Sequence, residues 1–212
     1  MSSSAKPAFA AVVLAAGNSS RLGQPKQLLR WRGKTLLTCA IELAQSAGPA
    51  HCMLALGANA GHMWQSLIDE PKTSIDISRV DRLDVANWQL GMGASLQASV
   101  RAVVDLREIS GLLVLLVDQY KVVPEFVQQL VQCWRRLPNL ACCARYQQLR
   151  GVPAMLPRAW FADILASPPA ENGARFWLRS RADVQALDLD NPGDLDSPEH
   201  IDANTPNTIQ RS

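Results

Sequence analysis

From Ala8 to Ala16 the chain is an unbroken apolar run, and from Gly17 to Gln27 it becomes polar and contains two glycines. Leucines and alanines then recur at helical spacing from Lys34 to Ala47, until Gly48-Pro49 ends them. This opening reads as a buried strand over Ala10–Ala16, a long loop over 17–27 and a helix over Lys34–Ala47. The same alternation continues: a strand over His51–Leu56, a helix over Gly61–Ile68, a third strand over Ser74–Val80 and an amphipathic helix over Met92–Leu106. Leu112–Val117 is a continuous apolar stretch of strand length between Gly111 and Asp118, the signature of a central parallel strand covered on both faces. It leaves Asp118 at its carboxyl end. Pro124 opens a helix to about Leu137, and short strands follow at Leu140–Tyr146 and Val152–Leu156. Strands that alternate with helices predict an α/β domain with a mostly parallel sheet. The expected domain spans 8–196, and the polar, aperiodic stretch 197–212 reads as a flexible tail.

Composition narrows the function classes. The chain has 212 residues, room for one domain with a substantial core but cramped for two. Its net charge of +2 supplies no general field for nucleic acid or an acidic membrane, so any anion site must be local. No apolar run reaches the length of a membrane span. Five cysteines, odd in number and without a CxxC pair, argue against a disulfide framework or zinc site and fit the cytoplasm. The histidines at 51, 62 and 200 are scattered, and no nucleophile triad or H-E-x-x-H accompanies them.

Chemistry concentrates in the loop after the first strand. Gly17-Asn-Ser-Ser-Arg-Leu-Gly-Gln-Pro-Lys26 joins glycines, which let backbone N–H groups approach oxyanions, to the cations Arg21 and Lys26. A phosphate cradle fits this content, and so does a solvated loop with two surface cations. Neither G-x-x-x-x-G-K-[ST] nor G-x-G-x-x-G is present, so the P-loop and dinucleotide-binding fingerprints are excluded.

The segment Leu14-Ala-Ala-Gly-Asn-Ser-Ser-Arg-Leu-Gly-Gln-Pro-Lys-Gln-Leu-Leu29 resembles the L-A-A-G-x-S-x-R-[ML]-G-x-x-K-x-L-L signature of the sugar-nucleotide and molybdopterin nucleotidyltransferases. Trp88–Ser95, Asp118-Gln119, Arg150-Gly-Val-Pro153, Asn172-Gly-Ala-Arg175 and Leu187–Leu195 resemble further segments of the molybdenum cofactor cytidylyltransferase branch. The resemblance implies a three-layer α/β/α fold, Rossmann-like and of the nucleotide-diphospho-sugar-transferase kind. It implies that Leu14 belongs to the nucleotide site, that Ala15, Ala16 and Gly17 meet the base, that Ser95 helps hold base and ribose, and that Arg21 and Lys26 hold the triphosphate. Asp118 and Asp190 would bind Mg²⁺, with Asp190 preferred over Asp188. Two carboxylates suffice for a hard cation that also takes phosphate oxygens and water.

The implied reaction is in-line attack by an acceptor phosphate on the α-phosphorus of CTP, with pyrophosphate leaving. Arg21, Lys26 and Asp118 would carry the catalysis, the acceptor would be molybdopterin, and a molybdenum hydroxylase is a candidate partner. The A-A-G turn favours the cytidylyl branch, since guanylyl-transferring relatives more often have A-G-G. Guanylyl transfer, transfer to a sugar phosphate, and a non-catalytic cofactor carrier are the rival readings. Three departures bear on the acceptor. Tyr120 stands where proline is common, Val152 where histidine is frequent, and Ala170-Glu171 where glycine and aspartate are usual.

Overall fold

A computed structural model describes residues 6–18, 25–71, 73–169 and 172–193. Arg21, Ala170, Glu171 and the tail expected over 197–212 lie outside them. The chain runs β1 (Ala8–Leu14), β2 (Arg30–Trp31), β3 (Lys34–Thr35), α1 (Leu36–Ser46), β4 (His51–Leu56), α2 (Ala60–Ile68), β5 (Val80–Asp84) and α3 (Met92–Val103). It continues through β6 (Ile109–Leu116), α4 (Pro124–Arg136), β7 (Ala141–Tyr146), β8 (Leu149–Pro157), α5 (Phe161–Ala166), α6 (Ala174–Ser180) and β9 (Val184–Asp188).

Seven strands form one sheet in the order β5-β4-β1-β6-β8-β7-β9. All neighbours are parallel except β8, which runs antiparallel to both β6 and β7. Because successive side chains of a strand point to opposite faces, the central strands feed two cores. Phe9, Ala11 and Val13 pack with Leu113 and Leu115 beneath α1 and α4. Ala10, Val12 and Leu14 pack with Leu112 and Val114 beneath α3, α5 and α6. Three layers result, as the apolar runs predict.

The chain lays down β1, β4 and β5 outward in one direction, then returns through α3 to place β6 on the other side of β1. The carboxyl edge between β1 and β6 is therefore the topological switch point, where the strand order reverses and open α/β sheets commonly form a ligand crevice.

The third strand departs from expectation. Over Ser74–Val80, Asp76 accepts hydrogen bonds from Ser78 N (3.2 Å) and Ser78 Oγ (2.6 Å), and residues Ile77–Arg79 close a 3-10 turn instead. Side-chain capping here competes with extension. The strand follows as Val-Asp-Arg-Leu-Asp, whose exposed charges suit a sheet edge and conceal it from a search for apolar runs. The expected helix over Lys34–Ala47 begins at Leu36, because Lys34–Thr35 pairs with Arg30–Trp31 as a short hairpin and Thr35 Oγ1 caps the helix at Thr38 N. The elements α5, α6 and β9 had no counterpart in the expected set. Among the described residues, no helix is long and apolar enough to cross a membrane.

Candidate active site

At the switch point lies a cleft of about 170 Å³ lined by Leu14–Gly17, Lys26, Gln27, Trp88, Gly91, Met92, Ser95 and Leu116–Asp118. Its floor is the end of β1, where the backbone stays in register with the sheet: Ala15 N donates to Ala55 O (2.9 Å) and Ala58 N to Ala16 O (3.1 Å). Small side chains at Ala15 and Ala16 leave the backbone reachable. Of the residues expected to touch nucleotide, Leu14, Ala15, Ala16, Gly17, Lys26 and Ser95 all line this one cleft, together with Asp118.

Lys26 and Asp118 meet directly. The Lys26 ammonium donates to Asp118 Oδ2, joining the signature loop to the end of β6. The Asp118 side chain is only 7% exposed, so its charge needs a partner at close range. Lys26 begins a 3-10 turn, Lys26–Leu28, closed by Leu28 N to Pro25 O (3.1 Å) and Leu29 N to Lys26 O (3.1 Å).

Gln27 was absent from the expected site residues, yet it organises the cleft. Its side chain is buried, and Nε2 donates to both Ala15 O (2.8 Å) and Gly17 O (2.7 Å). One amide thus fixes the bend of the A-A-G turn relative to Lys26. Its signal in the sequence was its place at the variable position of the K-x-L-L run, directly after Lys26. Gly57 is a second omission. A Cβ there would lie 2.5 Å from Trp88 Cγ and 2.7 Å from Ala16 O, so only glycine lets the indole close over the turn. That requirement involves three segments distant in sequence and has no local signature.

The opposite wall is the start of α3. Gly91, at φ +92°, turns the chain into the helix, and Met92 and Ser95 face the cleft from its first turn. The N-terminus of this helix favours negative charge, as a phosphate would supply. Gly173 packs against Met92, with a Cβ there only 2.9 Å from Met92 Cβ, and so brings the Asn172–Arg175 segment to the cleft's rim.

Asp190 is exposed and lies just past β9. Its segment rests against the turn that follows Asp118: Lys121 N donates to Pro192 O (3.1 Å), and Gly193 leaves room for Lys121. Asp188, the less favoured candidate, is committed elsewhere, in a two-pronged pair with Arg145 Nε (2.6 Å) and a second guanidinium nitrogen (2.9 Å). That guanidinium holds the Asp188 carboxyl below its ordinary value. Among the described residues, no three or more His, Cys, Asp or Glu are grouped so that they could hold a metal ion. Asp118 thus stands in the cleft, while Asp190 is exposed in the segment that packs against Lys121.

The acceptor-side departures have structural counterparts. Tyr120 packs edge-on against Trp31 with ring centroids 4.7 Å apart. Val152 is buried in the core, and its carbonyl accepts from Gln119 Nε2 (2.8 Å). Arg150, which resembles a family motif residue, donates to Leu178 O (3.4 Å) and Arg181 O (3.0 Å) and so caps the end of α6. Burial pushes the thiols of Cys39 and Cys143 up to about 11 and that of Cys52 to about 12, which leaves them protonated and poor nucleophiles at neutral pH.

Comparison with known proteins agrees with this fold. A relative from Paenarthrobacter nicotinovorans, named nicotine blue oxidoreductase, is 30% identical over 204 residues, covering 92% of this chain and 93% of its own. The crystal structure of Rv0371c from Mycobacterium tuberculosis H37Rv superposes with a TM-score of 0.72 at 26% identity, covering 91% of this chain and 95% of that one. A second structure of that protein, in complex with manganese, matches at 25% identity, with a TM-score of 0.72 and the same coverage. CMP:2-keto-3-deoxy-manno-octonic acid synthetase complexed with CTP shares the fold, with a TM-score of 0.67 at 15% identity over 91% of this chain and 95% of that one. The model of the MobA-like NTP transferase domain matches residues 11–185, and the chain is a nucleotidyltransferase of that family.

Proposed function

We propose that the protein transfers CMP from CTP to the phosphate of a molybdopterin-type acceptor and releases pyrophosphate. The observation that carries this reading is the convergence of the A-A-G turn, Lys26, the start of α3 and Asp118 on one cleft. Base and ribose would lie between Ala15–Gly17 and Ser95, beside the Trp88 indole. The triphosphate would then extend toward Lys26 and Arg21, whose charges neutralise the phosphoryl oxygens as charge develops on them. No side chain acts as a nucleophile, since the acceptor phosphate oxygen attacks the α-phosphorus itself. Asp118 and Asp190 would hold Mg²⁺, which supplies charge neutralisation across the phosphates when bound.

The decisive experiment incubates purified protein with the pterin, Mg²⁺ and each NTP in turn and follows pyrophosphate. CTP should be used in preference to GTP, and Ala16→Gly should weaken that preference. GTP used as readily as CTP would assign guanylyl transfer. No release with any NTP, while pterin still binds, would assign a cofactor carrier. The Paenarthrobacter relative is named an oxidoreductase, so an oxidation–reduction activity without pyrophosphate release from any NTP would replace the transferase reading.

A further inference from the structure

We propose that Lys26 is a built-in counter-ion for Asp118, occupying the cation's place until nucleotide arrives, so that metal and nucleotide enter the cleft in concert. The inference rests on the reading of Asp118 as a metal ligand.

Asp118 ends β6 with a side chain 7% exposed, whereas that of Lys26 is 24% exposed. A carboxylate so withdrawn from water is costly unless a positive charge stands beside it, and the ammonium provides one. The backbone that presents the ammonium is fixed. Gln27 ties it to Ala15 and Gly17, and Leu36 N donates to Leu29 O (2.8 Å) to anchor the far end of the turn. The same two segments meet a second time where Trp31 packs on Tyr120. With both ends of the contact held, exchange of partners must occur through the flexible stem of the lysine rather than through movement of the loop.

A divalent ion that arrives alone therefore finds a carboxylate already neutralised. Among the described residues it also finds no third acidic, cysteine or histidine ligand close by. A triphosphate alters both conditions. Its oxygens offer the ammonium a new partner and complete the coordination of the ion, so Asp118 changes from lysine partner to metal ligand in one exchange. Linkage then requires that nucleotide tighten metal binding by the same factor by which metal tightens nucleotide binding.

Mn²⁺ binding to the full chain, followed by the electron paramagnetic resonance of the free ion, tests this with and without α,β-methylene-CTP. Without nucleotide, Lys26→Met should bind Mn²⁺ at least about tenfold more tightly than wild type, since the displaced charge is gone. Lys26→Arg, which keeps the charge, should bind it as weakly as wild type. The analogue should tighten Mn²⁺ binding about tenfold or more in wild type and clearly less in Lys26→Met. Thermal melts establish that each variant is folded. If Lys26→Met binds Mn²⁺ no more tightly than wild type while Asp118→Asn abolishes binding, Asp118 is a ligand but the counter-ion exchange is refuted. Equal tightening in the Met and Arg variants refutes it too, because size rather than charge would be responsible. Unchanged binding in Asp118→Asn would remove the metal-ligand reading on which the inference stands.

Discussion

The two halves of the sheet use their polar residues differently. Around β1, β4 and β6, polar side chains are turned toward one cleft: Gln27 holds the A-A-G turn, and Lys26 holds Asp118. Around β8, β7 and β9 they fasten elements to one another. Arg150 caps α6, Arg145 pairs with Asp188 across adjacent strands, and Trp160 Nε1 donates to Asp183 Oδ2 (2.9 Å). Motif resemblance therefore means different things in the two regions. On the β1 side it translates into cleft lining. On the β8 side, Arg150 and Val152 belong to packing, whereas Asn172 is exposed and Arg175 half-buried at the cleft's rim.

The sharpest way to break this comparison is to remove the charges of the first region. Lys26→Ala and Asp118→Asn should each lower turnover by about 10²-fold or more, a loss of roughly 3 kcal/mol of transition-state stabilisation. Steady-state kinetics with CTP checks this, and wild-type kcat/KM in both variants would make the cleft an ordinary surface feature. Gln27→Leu comes next. It leaves two carbonyls without their donor, at a cost of about 1–3 kcal/mol for each that stays buried. Both the melting temperature and the affinity for CTP should fall, because the amide serves the fold and the turn together.

In the second region the effects should separate. Arg150→Met should lower stability by about 1–2 kcal/mol in denaturant titrations through loss of the α6 cap. Its KM for CTP should stay near wild type. A raised KM for CTP with unchanged stability would place Arg150 in the nucleotide site and erase the distinction. The smallest effect is expected from Asp188→Asn, whose carboxylate is exposed and engaged with Arg145. Near-normal Mg²⁺ dependence in that variant, against a large loss in Asp190→Asn, would sharpen the choice between the two aspartates.

The central parallel strands were legible because burial on both faces demands continuous apolar runs, and Ala8–Leu14 and Leu112–Val117 supply them. The edge strand β5 and the late elements α5, α6 and β9 were not, since a strand with one polar face or a helix of six or seven residues carries too little periodicity. Candidate chemistry was legible where it was local. Leu14–Gly17 and Lys26 stand in one short segment, so the candidate could be named before any fold is known.

The sequence by itself thus determined the α/β alternation, the strand that ends at Asp118 and the glycine-containing loop with its cations, because each depends on residues near in the chain. Only the tertiary structure decided that Lys26 meets Asp118, that Gln27 is the amide holding the turn, and that Gly57 must be glycine for Trp88 to close over it. It also decided that Asp188 is already bound while the Asp190 segment rests beside Lys121. These relations join segments brought together by the order of strands in the sheet. Contacts across a topological switch point have no spacing in the chain, so no local pattern can encode them.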